Sequence, residues 1–135
     1  PPMNFLSVKI REEGGKIVAD EENFSLNLSG RLAEVAKGYV GKELVFGIRP
    51  EDMEFSPSSP DGSCITSTVE VVEPLGAEID VYVNTGSHQV IGRIPPTAKV
   101  NVGDEARLVP DQERAILFDV ETEQALNVDV EQFQQ

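Results

Sequence analysis

Tryptophan is absent from this chain of 135 residues, histidine and cysteine occur once each, and only 6% of residues are aromatic. One Cys and one His cannot assemble a disulfide or any Cys/His zinc set within a single chain. The lone thiol, Cys64, fits a reducing compartment and reads as a small buried apolar residue at the head of a β-branched run. Basic residues are also few: 11 Lys and Arg stand against 24 Asp and Glu, for a formal charge of -13 and a pI near 4.3. Such a field opposes bulk attraction to phosphate backbones and anionic headgroups, which argues against nucleic acid and lipid surfaces as partners. No apolar run approaches the ~20 residues that span a bilayer, so no direct membrane insertion is expected. The N-terminal Pro1-Pro2-Met3 shows no leader and suggests a piece cut from something longer.

What is there is short-strand patterning in a chain that is 39% hydrophobic. Leu6, Val8 and Ile10 alternate with Ser7, Lys9 and Arg11, a period of two that marks a half-buried strand. Gly14-Gly15 reads as a hairpin turn, residues 16–19 as the returning strand, and Phe24, Leu26 and Leu28 as a third. Residues 31–37 read as one short helix, capped by Ser29 or Gly30, with Leu32, Val35 and Ala36 on one face and Gly38 as its stop, or else as a loop turn. Residues 43–49 return to strand and end at Pro50, which cannot donate to a ladder. The stretch 56–63, Ser-Pro-Ser-Ser-Pro-Asp-Gly-Ser, reads as a mobile loop and a sub-boundary. Further strands are expected at 64–73, 79–83, 89–94, 106–109 and 115–118, with residues 127–135 a frayed tail after a domain of residues 1–126. Strands of this length at this spacing predict an all-β fold, a small barrel or sandwich with at most one or two short helices.

Chemistry is scarce in the pattern. Gly14-Gly15-Lys16 lacks the first Gly, the Ser or Thr after Lys and the following helix of a phosphate loop, so it is a turn. The carboxylate groups Glu12-Glu13, Glu51-Asp52-Glu54 and Asp119-Glu121-Glu123 match no calcium-loop spacing and read as solvated acidic faces. His88 has no second His or Cys to ligate with, sequence position alone argues no Ser-His-Asp role for it, and it reads as an ordinary surface or edge-strand histidine. The aromatics, among them Phe5, Phe46, Phe118 and Tyr82, are read as core or interface rather than as a platform for stacking bases. No catalytic, metal or cofactor site is nominated.

The string Gly47-Ile48-Arg49-Pro50-Glu51-Asp52-Met53 resembles the Gly-hydrophobic-Arg-Pro-Glu motif in the C-terminal regulatory domain of ATP-binding-cassette import ATPases. Pro2-Met3-Asn4-Phe5-Leu6, Val72-Glu73-Pro74-Leu75-Gly76-Ala77-Glu78 and Leu117-Phe118-Asp119 leading to Thr122 resemble further stretches of the maltose and multiple-sugar type, in the family's order. The resemblance covers residues 1–126 and implies an OB-fold-like barrel, the transport-associated OB (TOBE) type related to MOP barrels. It implies a non-catalytic regulatory and dimerisation domain of the ATP-binding subunit of a sugar importer. ATP and magnesium, with the phosphate loop, would then belong to a missing N-terminal domain.

The same resemblance implies a homodimer through this domain, membrane subunits as partners of the parent ATPase, regulatory proteins as partners in some members, and a place at the cytoplasmic face of the membrane. It singles out Gly47, Arg49, Pro50, Glu51, Glu73, Leu75, Gly76, Glu78, Phe118 and Asp119 as motif or interface residues. A plainer reading stands beside it: Arg49 and Glu51 pair to hold a turn, and Gly47 and Gly76 satisfy backbone geometry. Where the family commonly has Gly after the Thr, this chain has Glu123, so the last turn is expected to lack a left-handed position. A second functional reading is a small-ligand or oxyanion barrel of the molybdate-binding kind, for which the Ser-Ala-Arg-Asn type of signature is missing.

Overall fold

Residues 2–128 are described by a computed structural model. The alternation at the front of the chain forms β1 (Asn4–Glu13), which buries Leu6, Val8 and Ile10 and exposes the residues between them. β1 serves two neighbours along its length: Asn4 to Lys9 pair with β4 (Glu43–Ile48), and Lys9 to Glu13 pair with β2 (Lys16–Asp20). The β1–β2 hairpin turns on Gly14 and Gly15 at φ +57 and +81, the left-handed pair that side chains resist. β3 (Ser25–Asn27) adds to β2, and β10 (Ile116–Asp119) adds to β4, giving the order β10-β4-β1-β2-β3.

The second sheet repeats the device. β6 (Ile65–Pro74) pairs with β9 (Glu105–Pro110) over Ile65 to Thr68 and with β7 (Ile79–Asn84) from Thr68 onward, the β7 register shifting between Val69 and Val71. With β8 (Gln89–Ile94) and β5 (Met53–Phe55) the order is β5-β9-β6-β7-β8. The inner faces share one core, in which Leu6, Phe46, Ile48 and Leu117 of the first sheet meet Ile65, Val81, Val90 and Leu108 of the second. The all-β, OB-like expectation therefore holds, with a single short α-helix among the described residues.

That helix, α1 (Gly30–Ala36), buries Leu32 and Ala36. Gly38 does not stop it: the chain tightens into a 3-10 turn over Lys37–Tyr39, and the left-handed residue is Gly41 at φ +88. The 56–63 loop is anchored at its end, since Asn27 N–H donates to Gly62 O at 2.8 Å and closes the open edge of β3. Arg107 Nη1 holds its middle through Ser59 O (2.8 Å) and Asp61 (2.9 Å). The chain changes sheets upstream of this loop, at residues 49–52 between β4 and β5.

The fold also runs past residue 126. Asn127 is buried, accepting from Leu117 N–H at 2.9 Å and donating to Ala115 O at 2.9 Å, so it belongs to the fold and not to a frayed tail. The rest of the expected tail, 129–135, lies outside the described residues.

Candidate functional site

The crossover at residues 49–52 brings two of the sequence motifs together. Pro50 opens a 3-10 turn, Pro50–Asp52, and is buried, while Arg49 and Glu51 face outward. Arg49 and Glu51 do not pair with each other, and Arg49 makes no ion pair among the described residues. Glu51 instead lies in the field of Arg93 on β8. Arg93 forks onto Asp80 at 2.9 and 3.2 Å and reaches Glu78 at 2.9 Å. Its guanidinium is held above its ordinary range, first by the hydrogen bond to Asp80, then by attraction to Asp80, Glu78 and Glu51, with burial opposing. Arg93 and Asp80 were not singled out in the sequence, because a cation on one strand and an acid on its neighbour carry no local spacing.

The other motif residues fall in two places. Glu73, Leu75 and Gly76 form the exposed tip of the β6–β7 hairpin, closed by Leu75 N–H to Glu78 O at 2.7 Å with Gly76 at φ +84. Gly47 lies on the outer face of the first sheet, between Phe5 on β1 and Ile116 on β10. A Cβ there would sit 2.6 Å from Met3 Sδ and 2.8 Å from Phe118 Cε2, so only glycine lets Phe118 cover the strand. Phe118 in turn packs edge to face on Phe5 with ring centroids 5.8 Å apart. Asp119 caps the turn that follows: its Oδ1 accepts from Glu121 and Thr122 N–H at 2.9 Å each, and these bonds hold its carboxyl below the ordinary range. That turn does have a left-handed position, contrary to the expectation, with Glu123 itself at φ 61.

The seam between the sheets holds a polar network that sequence reasoning missed. Asn4 on β1 reaches across to β8, accepting from Ile91 N–H at 2.8 Å and donating to Ile91 O at 2.9 Å, and also donates to Ile48 O at 3.1 Å. Farther along, His88 Nε2 accepts from Ser7 N–H at 3.1 Å, which leaves Nδ1 as the donor to Glu21 Oε2 at 2.7 Å. Thr85 Oγ1 also donates to Oε2, while Asn23 N–H and Nδ2 donate to Oε1 at 3.2 Å each. Glu21 is thus a fully buried carboxylate surrounded by donors, and His88 is a tie between sheets with a side chain 22% exposed, not an ordinary edge histidine. Cys64 is buried as expected.

Two of the clefts are acidic. One of about 480 Å³ lies at the crossover, with carboxylates from Glu51, Asp52, Glu54 and Asp111 against Arg114. Another of about 340 Å³ borders the seam, where Asp20, Glu22 and Glu43 outnumber Lys9. Neither lining suits an anion, and no group of three or more metal-ligating side chains exists among the described residues.

Two family models match the chain: the MalK OB fold domain over residues 1–53 and the TOBE domain over residues 46–118. Neither is an ATPase domain. Over 132 residues the chain is 35% identical to the trehalose/maltose import ATP-binding protein MalK of Thermococcus litoralis, covering 93% of this chain and 35% of that protein. It is 35% identical over 126 residues to the oligosaccharides import ATP-binding protein MsmX of Bacillus subtilis, covering 91% and 34%. With the sulfoquinovosyl glycerol transport ATP-binding protein SmoE of Agrobacterium fabrum it shares 31% over 127 residues, covering 94% and 34%. The chain thus spans about a third of the length of these relatives. Among solved structures, the molybdate-bound cytoplasmic protein ModG superposes with a TM-score of 0.62 at 17% identity, covering 84% of this chain and 94% of that one, which shows a shared fold.

Proposed function

Because the chain belongs to the TOBE-domain family, with a MalK-type OB fold over its front portion, we propose that it serves as the non-catalytic regulatory and dimerisation region of the ATP-binding subunit of a sugar importer. The observation that carries the reading is the pair of matched models, which together run from residue 1 to 118 without a gap. Supporting it, Glu78 of one sequence motif pairs with Arg93 on β8 at 2.9 Å, and Arg93 also lies in the attractive field of Glu51 from another.

In this reading the chain positions and pairs ATPase subunits, while ATP, magnesium and hydrolysis belong to the part of the parent outside it. The parent would sit on the membrane subunits at the cytoplasmic face. No helix among the described residues is long and apolar enough to cross a membrane. The molybdate-binding reading draws only on the shared fold, and two of the clefts, being acidic, do not favour it.

Sedimentation of the parent ATP-binding subunit, with and without this region, tests the proposal. The shortened subunit is expected to hydrolyse ATP yet to separate into single copies when nucleotide is removed. Pairing and regulation left intact by the deletion would overturn it.

A further inference from the structure

Among the described residues no backbone ladder joins β1 to β8, although the two strands face each other across the seam. Side chains close it instead, Asn4 onto Ile91 and His88 onto Ser7. The amide of Asn4 does not titrate, whereas histidine is the side chain whose charge ordinarily changes near neutral pH. His88 is the only histidine in the chain. It is partly exposed and lines the cleft beside Ser7, so protons from solvent reach the ring.

Both ring nitrogens are committed in the neutral form. Nε2 accepts from Ser7 N–H at 3.1 Å, and Nδ1 donates to Glu21 Oε2 at 2.7 Å. A second proton can go only onto Nε2, where it meets the Ser7 N–H, and two donors cannot bond each other. One partner must then be given up. The bond from a charged imidazolium to a buried carboxylate is stronger than the neutral bond it replaces. The backbone of His88 is also fixed to its own turn, with Thr85 N–H donating to His88 O and His88 N–H to Thr85 Oγ1, each at 2.9 Å. The ring therefore stays on Glu21, and β1 is what it releases.

The charges around the ring admit the protonated form. Asp20 and Glu22 flank Glu21 in the chain, and Glu43 of β4 stands opposite Lys9 of β1 in the same cleft. Arg11 of β1 engages Asp20 at 3.1 Å. The turn of residues 85–88 adds no carboxylate or ammonium, and Glu70 of β6 reaches it only through Asn84, at 3.4 Å. Carboxylates thus outnumber cations on the side the ring faces.

We propose that His88 is a proton-operated clasp between the two sheets. Neutral, it ties β1 to the second sheet through Ser7; protonated, it keeps Glu21 and lets β1 part from it. Asn4 holds the other end of the seam at either charge, so the opening is local and the barrel stays folded. The inference is independent of the pairing reading.

Nuclear magnetic resonance of the whole chain tests this across the range in which imidazoles ordinarily titrate. The imidazole nitrogen shifts report the proton on His88. A nitrogen–nitrogen scalar coupling across the Ser7 N–H to Nε2 bond is expected while the ring is neutral and is lost once it is charged. Ser7 amide exchange, corrected for its intrinsic pH dependence, should then rise about fivefold, the loss of one ordinary hydrogen bond. The Ile91 amide, held by Asn4, should not change. His88→Gln supplies one donor and one acceptor that do not titrate, so its Ser7 amide should exchange alike at both ends of the range, with a thermal melt reporting that it folds. If that variant unfolds, the coupling in the wild type decides alone. A ring that stays neutral throughout, or a coupling that survives protonation, would sink the proposal. So would a Ser7 response that persists in His88→Gln, since it would make a neighbouring carboxylate the sensor.

Discussion

Replacing Glu21 by Gln tests the polar seam at its centre. Both carboxylate oxygens receive donors only: Oε1 from two Asn23 groups, Oε2 from Thr85 and His88. An amide must therefore turn its NH2 toward donors whichever way it is placed. The local escape needs the Thr85 hydroxyl to turn to His88 O and the His88 proton to move from Nδ1 to Nε2, which sets that proton against Ser7 N–H and breaks the tie to β1. Losing one charge-assisted bond and orphaning one donor should cost about 3 kcal/mol. That is a large share of the 5–15 kcal/mol that holds a typical domain, and about 10 °C in melting temperature for a chain of this size. Urea unfolding of the wild type and Glu21→Gln at neutral pH measures it. A loss below about 1 kcal/mol would refute the reasoning, because it would mean that water or a rotated side chain satisfies the seam at little cost.

Further outcomes follow from single residues. Glu123→Gly should stabilise the fold by about 0.5–1 kcal/mol, since it relieves a left-handed non-glycine residue at φ 61 while adding some unfolded-state freedom; a denaturant midpoint that falls would contradict this. Asn4→Leu should cost about 2–3 kcal/mol by leaving Ile48 O and both backbone groups of Ile91 without their partner, and amide exchange at Ile91 should accelerate most. Because the Asp119 carboxyl is depressed in the folded chain, its contribution is complete above the ordinary Asp range and disappears as pH falls through the lower folded value. Asp119→Asn should therefore flatten the acid side of the stability profile, and an unchanged slope would count against the cap.

Much of the barrel could be read in advance because its signals are local. Leu6, Val8 and Ile10 alternate within five residues, Gly14-Gly15 announces its own turn, and Pro50 ends β4 where it stands. The motif around Gly47 was visible too, but its physical reason was not, since Phe118 reaches that glycine only through the β4–β10 register. Glu21 was hidden by its neighbours: Asp20-Glu21-Glu22 reads as a solvated turn, and the groups that bury its carboxylate come from a loop of the other sheet. Gly38 misled for a similar reason, because packing let the helix tighten where propensity alone suggested a stop. Arg49 and Glu51 are adjacent enough in sequence to suggest a pair, yet both face outward without joining, and Glu51 contributes instead to the field at Arg93 on another strand.

The pairing of β10 with β4 has a bearing on the order of assembly. Gly47 and Ile116 face each other although all of the second sheet lies between them in the chain. Strands β5 to β9 can therefore close on themselves while β4 still waits with one side bare, and the slow, long-range step is the last one. A ribosome releasing this chain from its N-terminus would hold the first sheet unfinished until residues beyond 115 emerge. In that interval the bare flank of β4 is the place where a stray strand could intrude, and Asn127, fastened to Ala115 and Leu117, is the latch that ends the exposure.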